Sequence, residues 1–172
     1  MTRTCPVRLA ETVSSMNWES GMRKRRQTAL GMDSIVRKNP LDCLSYYPNW
    51  DSALYYLVLA DGDIDEDAND SRISCTRLRL VKQLDLPEFI THSLRYICEY
   101  PFRKETSFKV QAERGEAYRG FTVVRGKKPL AKGQIGDVLG FLKEEPDSRR
   151  IAEAGIYVVD NTGNLHCFIQ RS

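Results

Sequence analysis

The sequence predicts an α+β fold, with a mostly antiparallel sheet of four to six strands, two helices and a basic N-terminal arm. Three observations predict it. Ala53–Ala60 (ALYYLVLA) is a nearly unbroken apolar and aromatic run of strand length, and Ser74–Val81 then alternates in the manner of a half-buried strand. Leu86, Phe89, Ile90, Ser93, Leu94 and Ile97 recur at helical period behind a capping signal. Gly155–Asp160 and Asn164–Ile169 flank Asn161-Thr162-Gly163, a hairpin turn sequence. Strand pairs separated by single helices fit an α+β layer better than repeated βαβ units.

Residues 1–40 are weakly apolar and punctuated by Gly21, Gly31 and Pro40, so they are expected to form an arm, partly mobile, ahead of a single domain at 41–172. From Ala53 the first strand leads into the polar loop DGDIDEDANDS. The alternating strand follows, with Thr76, Leu78 and Leu80 on one face and Cys75, Arg77 and Arg79 on the other. Together they predict a hairpin with a long connection.

The first helix starts at Asp85. Its carboxylate suits an N-cap, Pro87 stands where a missing N–H costs nothing, and Glu88 completes the capping-box spacing. Pro101 stops it. Phe108, Val110 and Ala112 alternate with polar residues, and Gly120–Arg125 is the next strand, ended by Gly126 and Pro129 within RGKKP. Ile135, Val138, Leu139 and Leu142 suggest a second helix, with Gly136 and Gly140 one turn apart for close backbone approach.

The formal charge of +3 hides a strong segregation. Met1–Pro40 carries eight Lys/Arg and three acids, whereas Leu41–Ser71 carries eight acids and no Lys or Arg. Such a dipole along the chain concerns partners rather than fold. No run of 18 apolar residues exists, which excludes a transmembrane helix on length. The N-terminal residues lack the continuous apolar core of a secretory signal. The cysteines at 5, 43, 75, 98 and 167 form no CxxC pair and are odd in number, so neither a disulfide framework nor a zinc finger is signalled, and an intracellular site (cytoplasm or nucleus) is expected.

Two basic clusters are candidates for contact with phosphate: Arg23, Lys24, Arg25 and Arg26 in the arm, and Arg125, Lys127 and Lys128 at the predicted turn with Lys132 nearby. Tyr46, Tyr47 and Trp50, in a proline-containing loop beside Asp61, Asp63 and Asp65, are candidates for a protein-binding surface. The acidic loop fails the EF-hand pattern in both registers, because Glu66 and Arg72, or Ala68 and Ser74, stand where Gly and Glu are required. No metal ligand set, cofactor or catalytic residue is assigned.

No P-loop, dinucleotide fingerprint, HExxH or GxSxG occurs. His92 falls on the polar face of its helix, and His166 and Cys167 point to opposite faces of a strand. The leading expectation is a non-enzymatic binding protein of regulatory, adaptor or viral accessory and matrix character. It would contact nucleic acid, a protein partner or both, and a homo-oligomer remains open. The alternatives are a small cysteine hydrolase using Cys43 and His166, whose only support is their order in the chain, and a carbohydrate- or cation-binding module.

Overall fold

In a computed structural model, which describes residues 11–17, 35–48, 50–66, 71–103 and 109–171, strands form two sheets with one α-helix between them. The elements are β1 (Glu11–Asn17), β2 (Ile35–Arg37), β3 (Ala53–Glu66), β4 (Ile73–Gln83), α1 (Leu86–Glu99), β5 (Val110–Glu116), β6 (Phe121–Lys132), β7 (Val138–Glu144), β8 (Ile151–Val159) and β9 (Leu165–Arg171), with 3₁₀ turns at Pro40–Ser45 and Trp50–Ser52. The first sheet has the order β2-β1-β3-β4 and is antiparallel throughout. The second has the order β5-β6-β7-β8-β9 and is mixed: β5–β6 and β6–β7 are parallel, β7–β8 and β8–β9 antiparallel.

The chain is thus mostly β with one helix among the described residues. The β3–β4 and β8–β9 hairpins both form, but the long polar connection expected at residues 61–71 is shorter, because β3 continues through Asp61–Glu66 in pairing with Ile73–Arg77 of β4. Parts of the expected arm are strands instead, since β1 pairs with β3 from Glu11↔Leu59 to Asn17↔Ala53 and β2 pairs with β1. β2 is too short and β1 has too little apolar alternation to read from sequence; β3 provides the long partner that holds β1, and β1 in turn holds β2. Residues 18–34, with the Arg23–Arg26 cluster, lie outside the described residues.

The second predicted helix is a strand. In β7, Val138, Gly140 and Leu142 alternate towards α1, and Leu139, Phe141 and Lys143 face the other way. Val138, Leu139, Gly140 and Leu142 are all buried. Leu139 and Phe141 on the outer face are apolar, as Val138 and Leu142 are on the inner one, so the run shows no polar alternation and imitates a buried helix. Gly136 is a turn residue at φ 90°. Gly140 lies flat under the helix, where an added Cβ would be 3.2 Å from Ile90 Cγ2 and 3.3 Å from Val123 Cγ2.

The predicted cap of α1 is present in full: Asp85 Oδ1 accepts from Glu88 N at 2.9 Å, and Glu88 Oε2 accepts from Asp85 N at 3.3 Å. Phe89, Ile90, Ser93, Leu94 and Ile97 are its buried face. They form one core with Leu41, Cys43 and Leu44 of the first 3₁₀ turn, Tyr55 of β3, and Phe121, Val123, Val138, Leu142 and Ile156 of the second sheet. The helix therefore packs between the turn after β2 and the inner face of the second sheet, leaving that sheet's outer face for other use.

Candidate binding groove

The outer face of the second sheet carries a groove of about 520 Å³. Its floor is Phe141 and Tyr157, its walls include Lys127, Lys128, Pro129 and Leu130 on one side and Leu165 on the other, and Lys143, Glu153 and Gly155 complete it. Strand register explains the floor. Phe141 stands opposite Gly155, and Leu139 opposite Tyr157, in the antiparallel β7–β8 pair. Gly155 has no side chain to block its neighbour, and a Cβ there would be 3.0 Å from Tyr157 Cε2. The Tyr157 ring leans over that gap and meets Phe141 edge-on, with centroids 5.6 Å apart and planes at 78°. Leu130 and Leu165 are exposed at 57% and 53%.

The charge of the groove is positive. Lys127, Lys128 and Lys143 line it, against one acid, Glu153, which accepts from Lys143 Nζ at 2.8 Å. Lys127 and Lys128 follow the point where β6 loses its regular register: Ala112 pairs with Arg125, and the next partners are Arg114 and Leu130. The break predicted at RGKKP is thus a local irregularity inside a strand that continues to Lys132.

The structure separates the predicted basic cluster. Lys127 and Lys128 are exposed, but Arg125 is 6% exposed. Its Nε donates to Glu144 Oε1 at 2.7 Å, and its Nη2 donates to the carbonyls of Pro101 at 2.7 Å and Arg149 at 2.9 Å. This fork joins β7, the turn after α1 and the β7–β8 loop, so Arg125 is a structural clamp rather than a surface cation. Lys132 pairs with Glu116 on the surface at 3.4 Å.

The predicted aromatic and acidic surface is likewise divided. Trp50 stacks on Tyr55 at 4.6 Å and meets Phe89 at 4.8 Å, which makes it part of the core packing. The carbonyl of Tyr47 accepts from the Tyr55 hydroxyl at 3.2 Å. Tyr46 is 55% exposed, and its hydroxyl accepts from Arg37 Nη2 at 2.8 Å. Asp61, Asp63 and Asp65 are exposed along the end of β3, where Asp61 pairs with Arg77 of β4 at 3.2 Å. Among the described residues no three His, Cys, Asp or Glu side chains are grouped to hold a metal ion, and no helix is long and apolar enough to cross a membrane.

Cys43 and His166 are not brought together. Cys43 is fully buried in the core, and desolvation pushes its thiol up to about 12, the opposite of what an ionised nucleophile requires. Beside it Asp42 accepts from Ser71 Oγ at 2.5 Å and from Asn39 Nδ2 at 3.3 Å. The exposed His166 ring meets Asp160 Oδ2 at 2.7 Å in the β8–β9 hairpin.

Sequence reasoning missed Phe141, Lys143 and Tyr157. Lys143 and Phe141 were hidden by the helical reading of β7. The available signal was the alternation Leu139-Phe141-Lys143, which the antiparallel β7–β8 pair sets against Glu153-Gly155-Tyr157.

Residues 14–92 match the model of a family described as a domain of unknown function (DUF7666). The match spans a little under half of the chain, from β1 into α1, and ends before the second sheet and its groove. No curated protein and no solved structure matches the chain.

Proposed function

We propose that this protein is a non-enzymatic binding protein, acting inside the cell, whose second sheet takes up single-stranded nucleic acid in the groove between the Lys127–Leu130 segment and β8–β9. The observation that carries the reading is the Phe141–Tyr157 pair, set 5.6 Å apart on an open sheet face and flanked by Lys127, Lys128 and Lys143. Aromatic faces accept any base by stacking, at roughly 1–3 kcal/mol per base, while lysines track the phosphates without reading sequence. Duplex would keep its bases stacked inward, away from such a floor. The acidic end of β3, with Asp61, Asp63 and Asp65, lies on the other sheet and would repel phosphate, which restricts contact to one face.

Fluorescence anisotropy with a labelled oligonucleotide of mixed sequence, single-stranded and as duplex, tests this. Binding should favour the single strand, weaken as salt rises, and resist competition by polyglutamate, which has charge but no bases. Equal binding of polyglutamate and single strand would indicate an electrostatic surface for acidic protein instead. No binding at low salt would overturn the proposal.

A further inference from the structure

Lys127 and Lys128 are consecutive, and both line the same groove, as do Pro129 and Leu130. A regular strand cannot arrange this, because its successive side chains point to opposite faces. The chain is bent out of the ladder at this point, and the bend is held from β5. Glu113 sits where the β5–β6 register jumps between Ala112 and Arg114. Its Oε1 accepts from Lys127 N at 3.0 Å and its Oε2 from Lys128 N at 3.2 Å.

Two further features fit a dedicated clamp. Glu113 has φ 59°, a left-handed conformation that costs free energy for any residue with a Cβ. Gly126 is buried, and a Cβ there would be 2.5 Å from Glu113 Cδ, so only glycine lets the carboxylate reach the two amides. The same N–H groups, that of Lys127 first, hold the Glu113 carboxyl below its ordinary range.

We propose that Glu113 is a positioning residue for the groove: its carboxylate clamps the backbone of Lys127 and Lys128 and so turns both side chains to the same ligand. This rests on the reading of the groove as the nucleic-acid site. Glu113 itself touches no ligand.

The test is a double-mutant cycle with the oligonucleotide, comparing wild type, Glu113→Ala, Lys127→Ala/Lys128→Ala and the triple variant, together with backbone amide exchange at Lys127 and Lys128. Each lysine that leaves the phosphates should cut the salt slope by about 0.7 for a single strand. Glu113→Ala should therefore weaken binding about as much as the double lysine variant, lower the slope by a similar amount, and add nothing when combined with it. Glu113→Asp, whose shorter chain leaves the carboxylate but not its reach, should not rescue, whereas Glu113→Gln, which retains one acceptor, should rescue in part.

Wild-type affinity in Glu113→Ala, or losses that add to those of the lysine variant, would overturn the inference and leave the groove reading intact. If wild type binds no oligonucleotide, the groove reading fails and amide exchange decides the clamp. Exchange at Lys127 and Lys128 should quicken about tenfold or more in Glu113→Ala, since hydrogen bonds to charged groups are among the stronger ones. Unchanged exchange at both amides would overturn the clamp.

Discussion

Arg125 and Glu144 form an ion pair of 2.7 Å at the end of the second sheet, with side chains only 5% and 17% exposed. In the sequence Arg125 reads as one of a run of basic residues placed to meet phosphate. The structure instead gives its guanidinium acceptors that include Glu144 Oε1 and two carbonyls from segments remote in sequence, those of Pro101 and Arg149. A planar fork with fixed donors suits this junction, and an ammonium does not.

Replacing Arg125 by Ala should therefore destabilise the fold by about 3 kcal/mol, the low end for breaking a buried pair, because Glu144 keeps Arg149 Nε at 3.9 Å. Arg125→Lys should recover only a minor part. Urea denaturation checks both. A loss below about 1 kcal/mol for Arg125→Ala would show that the clamp is dispensable.

Gly140 should tolerate no side chain. With Ile90 and Val123 already 3.2 and 3.3 Å from the position of a new Cβ, Gly140→Ala should cost about 1–3 kcal/mol through overpacking against α1. Gly140→Val should cost more. In an Ile90→Ala background, which removes the crowding Cγ2, Gly140→Ala should cost less than it does alone, a coupling that thermal melts of the single and double variants will measure.

Cys43 should resist thiol reagents. It is fully buried and its thiol is pushed up to about 12, so almost none is ionised at neutral pH. Among the described cysteines Cys167 is the exposed one and should react first. Mass spectrometry after brief alkylation of native protein should find Cys167 modified and Cys43 intact, with Cys43 reacting only on unfolding. Rapid modification of Cys43 in the native state would revive the hydrolase alternative.

Asp160 organises the β8–β9 turn. Its Oδ1 accepts from the Thr162 hydroxyl at 2.7 Å, Thr162 N at 2.8 Å and Asn164 N at 2.9 Å, and Oδ2 meets His166. These bonds, the Thr162 hydroxyl foremost, hold its carboxyl well below the usual carboxylate range. The folded state thus binds the proton less readily than the unfolded chain. The stabilisation is present above the unfolded value of about 3.9 and is lost as pH falls below it. Asp160→Asn should be less stable than wild type at neutral pH, and the gap should narrow between about pH 4 and pH 2. A gap constant across that window would show that the charge of Asp160 contributes nothing.

The two components of the groove should separate in salt titrations of oligonucleotide binding. Tyr157→Ala should lower affinity by roughly tenfold or more through lost stacking and leave the salt slope unchanged. Lys127→Ala with Lys128→Ala should lower the slope by about 1.4. A slope that changes equally in both variants would contradict a division between base-stacking floor and phosphate-binding wall.

By itself the sequence determined what depends on neighbours within one turn or one hairpin. The Asp85–Glu88 capping box, the buried stripe from Phe89 to Ile97, the apolar β3 and the turn at Asn161-Thr162-Gly163 are all local interactions with fixed spacing, and the structure carries each of them. The tertiary structure decided everything that depends on a second covering layer. Val138–Leu142 became a strand because β6 and β8 pair with it on either side, while the apolar Leu139 and Phe141 on its outer face, opposite the face that α1 covers, erased the alternation that marks a strand. Glu11–Asn17 became a strand because β3 offered a partner. Arg125 and Lys127 differ by two positions and by burial, since one side chain meets Glu144 inside and the other stands at a bend clamped by Glu113. Charge is written in the sequence, but which charges reach solvent is set by the elements packed over them.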